Sequence, residues 1–140
     1  MKNESDPVGL GTVLDYKAVK GMKALVRTEK FAVARIRKQL AGCFAVVDDG
    51  KEVSAVIDQS RFDESDALEV ERNWRLITFD AVLPFELIGF LAFVSSALAE
   101  AGVGVLVISA YSTDHLLVKE RDLKKALVTL REAGFDVVLA

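Results

Sequence analysis

Few residues in this chain can do chemistry, and their spacing mostly shows what they cannot do. His115 is the only histidine and Cys43 the only cysteine, so no internal disulfide can form. Nucleophilic catalysis needs a hydroxyl or thiol within hydrogen-bond reach of a base. Nothing in the sequence sets a nucleophile beside His115, which precedes Leu116-Leu117-Val118 and reads as a partly buried strand residue. Cys43 opens an apolar run and is expected to be a small core hydrophobe. A protein-only zinc site takes three or four Cys, His or carboxylate ligands, and two of those types are nearly missing, so neither a metal nor another cofactor is expected. The acidic run Asp63-Glu64-Ser65-Asp66 brings nothing to complete the six to eight oxygens of a calcium site and is expected to be a solvated loop. Gly102-Val103-Gly104 follows a helical pattern and enters a strand, the reverse of a dinucleotide fingerprint, and it lacks the third glycine. What remains is the polar turn Tyr111-Ser112-Thr113-Asp114. Its carboxylate can accept charge-assisted hydrogen bonds from an ammonium group, or simply bond its own backbone as turn aspartates do.

Composition narrows the classes further. At 140 residues, 51% hydrophobic and 28% charged, the chain suits one compact domain or two very small ones sharing a core. Its net charge is −3, with Lys and Arg in both halves and neither half basic. The clustered phosphate neutralisation that nucleic-acid binding rests on is therefore missing, and no nucleic acid is expected as a partner. The longest apolar stretch, Leu87 to Ala99, is broken by Gly89, Ser95 and Ser96 and is too short to span a bilayer. With no secretory pattern at the start, a cytoplasmic location without membrane contact is expected.

The elements that must position the turn are legible from periodicity. Trp74 to Val82 has the β-branched and aromatic content of a strand, punctuated by Pro84. A helical pattern then starts at Glu86, with Leu87, Leu91, Val94, Leu98 and Ala101 at spacings of three and four, and stops at Gly102. Val103 to Tyr111 is almost continuously apolar and reads as a buried central strand; His115 to Val118 returns. A second amphipathic helix runs from about Arg121 to Ala133, with Leu123, Leu127 and Leu130 on one face, and Phe135 to Val138 is the last strand. The segments Ala97-Leu-Ala-Glu-Ala-Gly-Val103 and Thr129-Leu-Arg-Glu-Ala-Gly-Phe135 echo each other as helix exits. Together these make a β-α-β-β-α-β unit, an α+β, ferredoxin-like arrangement with both helices on one face of an antiparallel sheet. The first half reads as a worn copy: a strand at Phe31 to Ile36, a connection at 37–42 too short for a full helix, and a hairpin of Cys43 to Val47 and Val53 to Ile57 around Asp48-Asp49-Gly50-Lys51. The expected division is a loosely held leader over 1–22, a degenerate repeat over 23–71 and a complete unit over 72–140. Val8 to Leu14 is a candidate edge strand within the leader.

Trp74-Arg75, Leu83-Pro84-Phe85 leading into Gly89, and the run from Ile108 to Lys119 resemble the ACT-domain family. More narrowly, they resemble small bacterial proteins of two tandem ACT-like repeats, related to the regulatory part of aspartate kinases and to the cytosolic arginine sensors. The resemblance covers mainly 72–140. It implies a non-catalytic regulatory protein whose small-molecule ligand, an amino acid, sits between paired repeats. The ligand residues it implies are Phe85, Glu86, Leu87, Ile88 and Gly89 in the first turn, facing Tyr111, Ser112, Thr113 and Asp114. In that reading the free amides of a helix opening at Glu86 to Leu87 would hold the carboxylate, and Asp114 at the tip of its turn would hold the ammonium. The first turn departs from the commoner ACT pattern, which has an Asp or Arg and a Pro-Gly pair there. A degenerate ACT assembly domain with no ligand and a small ferredoxin-like enzyme are the alternatives. The first helix has no charge between Leu87 and Ala99, so a second contact through Ile88 and Phe93, with the first repeat or with another copy in a homodimer, is expected.

Overall fold

The computed structural model describes residues 12–13, 19–82 and 87–139. Phe85 and Glu86, and most of the expected leader, lie outside the described residues. In chain order the strands and helices are β1 (Thr12–Val13), β2 (Lys23–Ile36), β3 (Ala45–Asp48), β4 (Val53–Asp58), β5 (Ala67–Asp80), β6 (Leu87–Ile88), α1 (Phe90–Glu100), β7 (Leu106–Ser109), β8 (Asp114–Lys119), α2 (Leu123–Glu132) and β9 (Asp136–Leu139). The fold is mixed α and β with a mostly antiparallel sheet, ordered β3-β4-β2-β5-β8-β7, and β9 pairs with β2.

Two long strands carry this sheet. The first half of β2, Lys23 to Val26, lies between β9 and the end of β5; its second half, Phe31 to Ile36, lies between β4 and the start of β5. At the changeover the register slips twice. Arg27, Thr28 and Glu29 stand opposite Leu76 alone, and then Arg72 and Asn73 stand opposite Ala32. Asn73 takes φ +66°, the one non-glycine in the left-handed region among the described residues, a conformation Asn tolerates better than most residues. Bulges bend a sheet and increase its twist. Here the bend brings the β3–β4 hairpin against the second face of the C-terminal strands, with the Phe44 ring 5.1 Å from the His115 ring and 6.0 Å from Phe31.

Alternation along the strands therefore buries both faces. Ala24, Val26, Ile77, Phe79, Leu116 and Val118 face the helices and pack with Phe90, Val94 and Leu98 of α1 and Ala126, Leu127 and Leu130 of α2. Leu76 and Leu117 turn the other way and meet Phe31 and Val56, flanked by Val33, Phe44, Trp74 and Ile108. Val19 is fully buried in the helix-side core although it falls within the span expected to be a leader.

The repeated Glu-Ala-Gly exits become the same structure twice. Gly102 (φ +79°) and Gly134 (φ +111°) each follow a helix. Their amides donate to Ala99 and Arg131, and the next amides, of Val103 and Phe135, reach back to Leu98 and Leu130. These are Schellman caps, in which only glycine adopts the left-handed turn at little steric cost. The Asp48 to Lys51 hairpin also forms: the Asp48 and Asp49 carboxylates accept from the amides of Gly50, Lys51 and Glu52.

Three expectations are corrected. Leu87 and Ile88 are extended, paired in parallel with Thr12 and Val13, so α1 opens at Phe90 after Gly89 at φ +96° and not at Glu86. The apolar run after α1 supplies an edge strand: Leu106 and Val107 are about two-fifths exposed, because the hairpin return of β8 takes the central slot beside β5. Finally, β9 runs parallel to β2, which separates it from β5, so the sheet is not purely antiparallel.

Candidate functional site

The described residues of the expected site lie toward one end of the sheet. Thr78, His115 and Ile108 lie in one row across β5, β8 and β7, so the end of β5 and the β7–β8 turn emerge on the same side. The start of α1 is there too, since the Phe90 ring lies 5.2 Å from Phe79, one residue before the end of β5. Gly89 caps α1 through its carbonyl, which accepts from the Phe93 amide at 2.8 Å, and among the described residues no side chain caps this helix start. Among the described residues, the amides of Phe90, Leu91 and Ala92 have no backbone acceptor, the arrangement that suits an anion at a helix start. Ile88 is two-fifths exposed on β6.

Across from it, the turn closes by a bond from the Ala110 amide to the Thr113 carbonyl at 2.9 Å, leaving Tyr111 and Ser112 at the tip, with Tyr111 81% exposed. Asp114 is not at the tip. It opens β8 opposite Ser109, whose hydroxyl donates to Asp114 Oδ1 at 2.6 Å. The carboxylate keeps one oxygen for a further donor, so an ammonium would share it with Ser109. Ser109 is a residue that sequence reasoning missed; its place five residues before Asp114, across a hairpin, was the available signal. Phe93, expected to make an outside contact, is half-buried in the chain's own core, 6.4 Å from Phe135.

His115 faces the opposite side of the sheet from Asp114, although the two are adjacent in sequence. Its Nδ1 lies 2.9 Å from Thr78 Oγ1, with Phe44 edge-on and Arg27 over the Phe44 ring at 5.4 Å. The pairing of Thr78 with His115, 37 residues apart, was invisible in the sequence. Among the described residues no carboxylate bonds to the ring, and burial pushes its pKa below 6.5, helped by the Arg27 charge and opposed by Asp114. The Thr78–His115 bond ties β5 to β8.

A folded-state pKa below 6.5 means the unfolded chain takes up a proton first as pH falls. Stability should be complete above about pH 6.5 and decline on acidification until pH passes the folded value. Asp49, Asp58, Asp63 and Glu120 are held below their ordinary values by hydrogen bonds, from backbone amides, Ser hydroxyls or Lys30. They lose their contribution only as pH falls toward about 4, so the two windows separate. Urea midpoints at about pH 7.5 and 5.5 should differ in the parent chain and converge in His115→Phe. An equal drop in both would exclude His115 as the group responsible.

Cys43 is partly buried, packed against the cluster of Ala34, Ile36 and Ala55, and burial raises its pKa, keeping the thiol protonated. Asp63 to Asp66 form a solvated turn in which Asp63 caps Ser65. Among the described residues, no three His, Cys, Asp or Glu side chains are grouped to hold a metal, and no helix is long and apolar enough to cross a membrane.

Comparison with known proteins agrees with this fold. Residues 69–132 match the model of the ACT domain. The curated proteins give no match. Among solved structures, an Agobacterium tumefaciens protein is 25% identical over 86% of this chain and 94% of its own, with a TM-score of 0.75. The regulatory subunit of aspartate kinase from Thermus thermophilus, in its ligand-free form, is 8% identical over 79% of this chain and 95% of its own, with a TM-score of 0.58. The aspartate kinase of Clostridium acetobutylicum, described as an allosteric enzyme, is 17% identical; 76% of this chain aligns with 33% of that one, at a TM-score of 0.60. Residues 69–132 thus carry an ACT-domain match, within a fold like that of aspartate kinase regulatory domains.

Proposed function

We propose that this chain is a non-catalytic ACT-type regulatory module that binds a small metabolite, an amino acid, where the β5–α1 connection meets the β7–β8 turn. The observation that carries the reading is the ACT-domain match over the stretch that holds the end of β5, the start of α1 and the β7–β8 turn. The uncapped start of α1 suits a carboxylate and the Asp114–Ser109 pair suits an ammonium, so the two poles of a zwitterion have complementary partners. The second wall of the site would come from a paired ACT unit, either the N-terminal half or a second copy. A ligand of that kind biases subunit or partner contacts by as much as it prefers one arrangement.

A thermal-shift panel of the standard amino acids tests the reading. At a hundred times its Kd, a ligand should add about 2.7 kcal/mol, or several degrees of Tm. Asp114→Ala should unfold at nearly the parent temperature without ligand, because only the exposed Ser109 bond is lost, and it should lose most of the ligand's stabilisation. Silence across the panel would sink the amino-acid reading and leave an assembly module.

A further inference from the structure

At the other end of β8, about 16 Å from Asp114 by strand rise, a cleft opens where the two halves of the sheet join. It has a volume of about 330 Å³ and is lined by Arg72, Asn73, Lys119, Glu120 and Arg121. Arg72, Arg75, Lys119 and Arg121 are four of the seven Lys and Arg that follow Glu71, so cationic side chains gather here, interleaved with the carboxylates of Glu64, Glu71 and Glu120.

The donors are held in place. Lys119 Nζ donates to the Arg72 carbonyl at 2.8 Å and to Glu71 at 3.0 Å, and lies 4.8 Å from the Trp74 ring centre. The Arg72 guanidinium sits over the Phe62 ring and pairs with Glu64 at 3.4 Å. Both carboxylate partners are more than 70% exposed; surface pairs of this kind contribute little and yield readily to a stronger anion. The one acidic residue lining the cleft, Glu120, is already engaged by Lys30 at 3.0 Å and Arg75 at 3.3 Å. Arg121 is exposed and has no ion pair or hydrogen bond among the described residues.

Asn73 completes the set. Its amide nitrogen in the backbone donates to Gln59 Oε1 at 2.7 Å, which fixes the Gln59 side chain so that Nε2 donates to Asn73 Oδ1 at 3.0 Å. With Oδ1 so used, the side-chain NH₂ of Asn73 is left with both donors unspent. The bulge that bends the sheet thus also places a neutral donor residue among those lining the cleft.

We propose that this cleft is a second ligand site, for a small phosphate-bearing anion, built from Arg72, Asn73, Lys119 and Arg121. Guanidinium forks match phosphate oxygens in geometry, and a compact ammonium supplies a point charge beside them. The site is independent of the amino-acid reading, since it lies at the far end of the central strand.

The test is calorimetric titration of the whole chain with pyrophosphate and with inorganic phosphate, against sodium chloride at matched ionic strength. Saturable binding is expected. Arg121→Ala should weaken it about ten-fold. Asn73→Asp keeps the acceptor for Gln59 and tolerates the left-handed backbone, yet puts a carboxylate in the cleft, and should abolish binding. Circular dichroism and the urea midpoint would verify that both variants fold. Heats no larger than those of chloride, or binding that neither substitution weakens, would overturn the proposal.

Discussion

Phe79→Ala should cost about 3–5 kcal/mol, a large share of the stability of a domain this size. Phe79 is fully buried near the end of β5 and packs edge-on against Phe90 at 5.2 Å and obliquely against Phe135 at 5.1 Å. Phe90 opens α1 and Phe135 follows α2, so one ring holds the start of the first helix and the exit of the second onto the sheet. Removing it loses the transfer free energy of the ring and leaves a cavity whose walls come from three elements that cannot all close in. The urea midpoint should fall with an unchanged slope if the fold survives. The start of α1 should also loosen, and with it the anion-holding end of the proposed site. A cost under about 1 kcal/mol would mean that the aromatic cluster is not the keystone the geometry makes it.

Leu117→Ala should cost about 2–5 kcal/mol, although Leu117 points away from both helices. In a two-layer β-α-β-β-α-β unit that face of the sheet would be open, and the substitution would fall within about 0.5 kcal/mol of neutral. Here Leu117 is fully buried, like Leu76, and both meet Phe31 and Val56 of the N-terminal strands. The experiment therefore reads the bend at Arg27 to Glu29 and Asn73 directly: only a folded-over hairpin covers Leu117. A near-neutral result would separate the hairpin from the C-terminal sheet.

Local patterns carried most of the second half. The Glu-Ala-Gly echo became two Schellman caps, because glycine after a helix is a backbone requirement set within a few residues. Leu127 and Leu130 are buried and Lys124, Lys125 and Arg131 exposed, as the period of α2 implied. The hairpin around Gly50 formed for the same local reason. The helix start failed: Leu87 continues the spacing of α1, yet its backbone pairs with Thr12, some 75 residues upstream, and periodicity carries no record of a distant strand. The apolar run at Leu106 misled because hydrophobicity alone does not separate an edge strand from a central one.

At the candidate site the balance is similar. The turn at Tyr111 to Asp114 was legible, whereas the Ser109 bond that moves the Asp114 carboxylate off the tip was not. By itself, the sequence determined the bodies of the two helices, their glycine exits and the β3–β4 and β7–β8 hairpins, all of which follow from contacts within about ten residues. Only the tertiary structure decided that β2 slips between β9 and β5, that both sheet faces are buried, that Thr78 meets His115, and that Arg72, Lys119 and Arg121 share one cleft. Each of those depends on register between strands far apart in the chain, which is set by the summed burial of whole faces and not by any local signal.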